Sequence, residues 1–181
     1  MPSATRRTVK VLPTEGPSDL ALLRQSRRVG RVLAARDWRV ATAESCTAGW
    51  VTKVLTDVPG SSRWVEAGYV VYSNAAKMRD LDVSMATLRR HGAVSEATVL
   101  AMARGAQRAT GADLTIAISG IAGPDGGTAE KPVGTVWFGI AGRQRAVRTS
   151  ATRKVFGGDR DAVRRRAVAF ALQLILQQAL P

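Results

Sequence analysis

One cysteine, Cys46, and one histidine, His91, stand in 181 residues. A lone cysteine excludes a disulfide within the chain. One Cys and one His cannot build a conventional zinc shell, and no spacing of Asp and Glu suggests magnesium. No apolar run approaches the roughly 20 residues that span a bilayer. The opening MPSATRRTVKVLPTEGPSDL has arginines but no apolar h-region and no small-residue cleavage site, so it does not read as a secretory signal. The expectation is a cytoplasmic protein with no metal, no cofactor and no membrane partner. Acid is scarce as well, and the net charge is +13. That charge sits at the ends: +6 over 1–40, zero over 41–142 and +7 over 143–181. Such ends can touch nucleic acid non-specifically or draw in anionic metabolites, or they can simply be a solvated arginine surface. No helix-turn-helix, RNA-recognition or zinc motif accompanies them.

With 45% hydrophobic residues the chain can fill one domain core. Residues 1–17 hold three prolines and no periodicity and read as a flexible tail before a single domain over 18–181. Ser18 can cap a helix whose Leu22, Val29 and Leu33 share a face. Strands are expected at 38–43, 64–72, 114–119 and 133–141, with a weaker one at 145–151. Helices are expected from Cys46 to Thr56, after Asn74, after Ser84, after Ser95 up to Gly111, and after Asp159 to the end. Strands alternating with helices argue a layered α/β domain. The last two strands follow each other too closely for a helix, so at least one pair must be antiparallel.

Three strand ends run into loops kept open by small residues, where sites of open α/β sheets gather. The first is AESCTAG at 43–49. A serine at a strand-to-helix junction can be a nucleophile beside free backbone amides, or it can be a plain helix cap. Cys46 competes as nucleophile, although buried inert cysteines are common. The second is YVVYSNAAK at 69–77. His91 sits between Arg90 and Gly92 in an expected turn, so a Ser-His-Asp triad is poorly supplied. A lysine with a lowered pKa can act instead; alternatively Lys77 is a surface lysine. The third is SGIAGPDGGT at 119–128. Its glycines either let backbone approach a ligand or mark a mobile surface loop. It matches neither GxGxxG nor GxxxxGK[ST].

Six segments in register carry a resemblance: AESCTAG at 43–49, LTDVPGSS at 55–62, GYVVYSNAAK at 68–77, HGAVSE at 91–96, GADLTIAISGIAGPDGGTAEKPVGTVW at 111–137 and FGGDRDAVRRRAV at 156–168. Together they resemble the CinA C-terminal domain family, the PncC-type nicotinamide-mononucleotide deamidases, over roughly residues 20–180. The resemblance implies a three-layer α/β/α sandwich with a mixed, mostly parallel sheet of about five strands. It implies metal-free hydrolysis of the nicotinamide amide to nicotinate mononucleotide and ammonia, and at least a homodimer. The chain departs from the family at Ala48 and Asp82, where glycine is usual. A binding protein of the competence and DNA-damage association, or a hydrolase of another small amide, stands as the alternative.

On that reading Ser45 is the nucleophile and Lys77 its base, while Tyr72 orients Lys77 or donates to the reacting amide. Backbone amides near Cys46 and Thr47 form the oxyanion site. The mononucleotide substrate is held by Thr47, by Asn74, by the Gly120, Gly123, Gly126 and Thr128 loop, and by an arginine. Arg153 is the arginine chosen, on charge more than on motif.

Overall fold

A computed structural model describes residues 15–144 and 146–180. Most of the expected tail, residues 1–14, therefore lies outside the described residues. Residues 15–17 lie against the C-terminal helix, where the carbonyls of Glu15 and Pro17 accept from Arg166 and Arg165.

The chain runs α1 (Asp19–Ala35), β1 (Val40–Glu44), α2 (Trp50–Thr56), a short 3-10 turn (Ser61–Arg63), β2 (Val65–Val70), α3 (Asn74–Leu81), α4 (Met85–His91), α5 (Glu96–Thr110), β3 (Leu114–Gly120), β4 (Thr135–Gly142), β5 (Ser150–Val155) and α6 (Arg160–Ala179). The sheet order is β2-β1-β3-β4-β5. β1 is parallel to both its neighbours, while β4 is antiparallel to β3 and to β5. Only β4 thus runs against the other four. Helices α1, α2 and α6 cover one face and α3, α4 and α5 the other, each over its own apolar cluster. This is the expected three-layer sandwich.

Local chemistry explains most boundaries. Ser18, Ser84, Ser95 and Asp159 each accept a backbone N–H three residues on and cap α1, α4, α5 and α6. Leu22, Val29 and Leu33 of α1 fall on one buried stripe, Leu20 lies outside it, and the four central arginines stay exposed. α5 ends on Gly111, which takes the left-handed conformation.

Three boundaries differ from the sequence reading. The cap of α3 is Ser73, and Asn74 is its first helical residue. α2 starts at Trp50, four residues beyond Cys46, because Ala48 and Gly49 both adopt positive φ. The fifth strand lies at 150–155 instead of 145–151. The side chains of Arg143 and Gln144 turn back onto the Asp113 carboxylate, and Val147 N–H closes onto Gln144 O, so the segment after Gly142 is a loop. Asp113 is held below the usual carboxylate range, despite the opposing effect of its burial, by bonds from the Arg39 amide, Gln144 and Arg143.

The two positions where the family usually has glycine, Ala48 and Asp82, both take positive φ, 52° and 54°. Each carries a side chain in a region where Cβ is crowded by backbone.

Candidate active site

The carboxyl ends of β1, β2 and β3 and the start of β4 meet at one edge of the sheet. β1 is an inner strand, and the chain leaves it for β2 on one side and later returns for β3 on the other. Such a reversal opens a crevice at the strand ends. A cleft of about 190 Å³ lies there, with Ser45, Tyr72, Lys77, Val94, Ser119 and Arg160 among its walls.

β1 is fully buried and delivers Glu44 and Ser45 to the crevice. Ser45 N–H donates to Ile118 O of β3, which fixes it to the sheet. It does not cap α2, because the chain makes a turn from Ser45 to Gly49 before the helix begins. The cap is Glu44. Its buried carboxylate accepts from the amides of Val51 (3.0 Å) and Thr52 (2.8 Å) and from the Thr52 hydroxyl (2.8 Å). Two orphan donors of the helix start are thereby satisfied, and the negative charge sits at the positive end of α2. The helix start is therefore occupied and is not the anion site.

The turn itself offers the donors. Among the described residues, the amides of Cys46 and Thr47 give no hydrogen bond. Arg164 of α6 donates from Nε to Cys46 O (3.1 Å) and from Nη2 to Thr47 O (3.2 Å), and it also stacks over Trp50. In a trans peptide the N–H points opposite the C=O. Holding Cys46 O therefore fixes the direction of the Thr47 N–H. Two free amides beside a serine hydroxyl are the donor set of an oxyanion hole.

Lys77 lies in the first turn of α3, seven residues past the end of β2, and is almost wholly buried. Its Nζ is 2.8 Å from Val71 O, 3.0 Å from Tyr72 O and 3.2 Å from Ser45 Oγ. Among the described residues, no carboxylate makes an ion pair with it. Burial holds its pKa below the ordinary lysine value, with the Cys46 side chain a smaller opposing influence. A neutral amine has two N–H groups and one lone pair. Held between the Val71 and Tyr72 carbonyls, Lys77 Nζ also donates to Ser45 Oγ as an ammonium, and as a free amine its lone pair could accept from that hydroxyl instead.

Other candidates fall differently. Burial pushes the Cys46 thiol up to about 12, so it is protonated near neutrality. Tyr72 is exposed at the rim of the cleft; its carbonyl, not its hydroxyl, holds Lys77. Gly120 lines the cleft, and a Cβ there would meet Val136 and Thr135 O. Gly123 sits behind it and binds Arg160 Nη1 through its carbonyl (2.8 Å). Gly126 and Thr128 lie further out, and Thr128 closes the loop onto Lys131 through its amide and its hydroxyl. Thr47 is buried with an unpartnered hydroxyl, and Asn74 is exposed; neither lines the cleft. Arg153 does not line it either: it donates to Glu130 O and borders a separate cavity. His91 ends α4 beside that same cavity.

Sequence reasoning missed Glu44, Arg160 and Arg164. The two arginines had a legible signal, since residues four apart share a helix face. Glu44 had none, because only the fold brings its carboxylate to the start of α2.

Fold and site together define a three-layer α/β domain with a buried lysine set against a serine at a strand end. The CinA C-terminal domain model matches residues 23–179. The nicotinamide-nucleotide amidohydrolase PncC of Escherichia coli strain K12 is 55% identical over 163 residues, which are 90% of this chain and 98% of that protein. PncC of Pseudomonas putida is 51% identical over 150 residues, 83% of this chain and 92% of that one. The crystal structure of competence/damage inducible protein CihA from Agrobacterium tumefaciens superposes with a TM-score of 0.85 at 37% identity, covering 91% of this chain and 98% of that one. The chain belongs to the CinA C-terminal domain family.

Proposed function

We propose that this chain hydrolyses the carboxamide of nicotinamide mononucleotide to nicotinate mononucleotide and ammonia, with Ser45 as nucleophile and Lys77 as its base. The relatives named as nicotinamide-nucleotide amidohydrolases supply the substrate. The observation that carries the mechanism is the Lys77 amine, buried, held by two carbonyls and 3.2 Å from Ser45 Oγ.

Neutral Lys77 accepts the Ser45 proton as Oγ bonds to the amide carbon. The carbonyl oxygen becomes an oxyanion facing the Cys46 and Thr47 amides. The C–N bond breaks, and the nitrogen leaves as ammonia with the proton returned by Lys77. Water then gives a proton to Lys77 and adds to the acyl carbon. Oγ departs, regains that proton and frees the nicotinate. Every step uses the chain's own groups and water. Arg160 faces the cleft and serves the phosphate, and the Tyr72 hydroxyl meets the substrate at the rim, while Gly120 lets β4 pack close behind the cleft wall. The same reading carries a cytoplasmic setting and at least a homodimer, as the family resemblance implies.

The test is ammonia release from nicotinamide mononucleotide and from the dinucleotide by wild type, Ser45→Ala, Lys77→Ala and Cys46→Ala, with a melting curve for each. Release from the mononucleotide, lost in the first two variants and retained in Cys46→Ala, is the expected result. Near-wild-type turnover by Ser45→Ala, or a dead Cys46→Ala, would overturn the assignment of the nucleophile.

A further inference from the structure

A second cleft, of about 690 Å³, opens on the other side of the segment 92–95 from Ser45. That is a ligand-sized volume. Around it stand Arg90, Lys131 and Arg153, two carboxylates, Glu96 and Glu130, and the half-buried indole of Trp137. Among the described residues none of these five charges is spent in an ion pair. Lys131 Nζ holds only the His91 carbonyl (3.1 Å), and Arg153 Nη2 only the Glu130 carbonyl (2.8 Å). The set comes from four places, α4, α5, the glycine-rich loop and the β4–β5 edge, so it is not one helix's solvated face.

We propose that this second cleft binds a nucleoside monophosphate as an effector, apart from the substrate at Ser45. The chemistry of the walls matches the three parts of such a ligand. Arginine and lysine take the phosphate, a carboxylate accepts from the ribose hydroxyls, and an indole face stacks the base. A bare phosphate would meet two carboxylates for three cations and gain little. A nucleotide uses all three kinds of group.

The cleft is also wired to the Ser45 site. Register puts Ser119, Trp137 and Arg153 side by side across β3, β4 and β5. Ser119 lines the Ser45 cleft, and Trp137 and Arg153 line the second one. The segment between them is pinned from both sides. Ser119 Oγ donates to Ala93 O (2.8 Å), and Lys131 Nζ donates to His91 O. Ala93 and Val94 form a wall of the Ser45 cleft. Ser95 and Thr98 hydroxyls hold the Gly92 carbonyl between these two bonds, so a phosphate that draws Lys131 off the His91 carbonyl loosens one end of the stretch, and occupancy here changes the wall there.

The experiment is calorimetry of AMP, ribose 5-phosphate and inorganic phosphate binding to the wild-type protein and its variants. The reading of this cleft does not depend on amidase activity, so a failed ammonia assay leaves it standing. AMP is expected to bind at least tenfold more tightly than ribose 5-phosphate. Arg90→Glu and Lys131→Glu, checked by melting curve for an intact fold, should each weaken AMP at least tenfold. Arg160→Ala should leave AMP binding unchanged. Undetectable AMP binding at millimolar concentration overturns the proposal. So does equal affinity for AMP and phosphate, or AMP affinity that falls in Arg160→Ala and is untouched by the two charge reversals, since the nucleotide would then sit in the Ser45 cleft. If a charge reversal unfolds the protein, Arg90→Gln and Lys131→Gln replace it with the same expectation.

Discussion

The two clefts on either side of residues 92–95 are built on opposite principles. At Ser45 the inner groups are buried and held in place, Lys77 by two carbonyls, Ser45 by β3, and the turn after it by Arg164, while Tyr72 and Arg160 stay exposed at the rim. The neighbouring cleft is over three times larger and is ringed by unpaired charges on long side chains, all exposed but the half-buried Lys131. A site that must shift a pKa and hold an amide within bonding reach needs dry, rigid walls. A site that only has to recognise charge can leave its side chains in water. The contrast teaches where substitutions should be felt in turnover and where only in binding.

The largest expected effect lies in the rigid cleft. Ser45→Ala and Lys77→Ala should each cut turnover by about a thousandfold or more, and the double variant should lose little beyond either single one, because groups that act as a unit are not additive. Turnover of all three, measured beside melting curves, checks this. Additive losses would mean that the two residues act separately. His91→Ala, which borders only the open cleft, should keep turnover within a few-fold.

A smaller effect is expected at Arg164, which touches the carbonyls of the oxyanion turn. Arg164→Ala should lower kcat by about ten- to a hundredfold, less than deleting a donor outright. KM should move little, since the cleft walls remain. A change confined to KM would make Arg164 a substrate contact instead.

The pH dependence sharpens the contrast further. Burial lowers the Lys77 pKa, so the folded protein sheds this proton at a lower pH than the unfolded chain does. Between the lowered value and the unfolded value near 10.5, the unfolded chain binds the extra proton, and stability gains from Lys77 as pH rises. Below the lowered value both states are protonated, and the full cost of the buried charge is present. Turnover should rise with pH through the same lowered pKa, because the base works as the free amine. Lys77→Met should remove this rise in stability; denaturant titrations across pH read it. An unchanged slope would show that Lys77 is not the group responsible.

The smallest effect concerns the backbone. Ala48→Gly should raise stability by about 0.5–1 kcal/mol. Relief of the left-handed conformation outweighs the added freedom of the unfolded chain. A melt that falls instead would show that the Ala48 methyl packs usefully beside the oxyanion turn.

The amino-acid sequence by itself determined the alternation of strands and helices, four of the helix caps, the antiparallel end of the sheet and the family. These are local or periodic signals: an apolar stripe, a serine before a helix, two strands with too short a link. It also pointed to Ser45 and Lys77, since each follows a strand that ends in small residues. The hydrophilic edge strand SATRKV was hard to see because its pattern carries no buried face. Only the tertiary structure decided that Lys77 is buried and faces Ser45, that Glu44 caps α2, and that Arg160 and Arg164 reach the site while Arg153 does not. Those facts join residues from 7 to 118 positions apart. Burial, and with it a lowered pKa, belongs to the assembled layers, because no single segment carries the apolar walls that exclude water from a lysine.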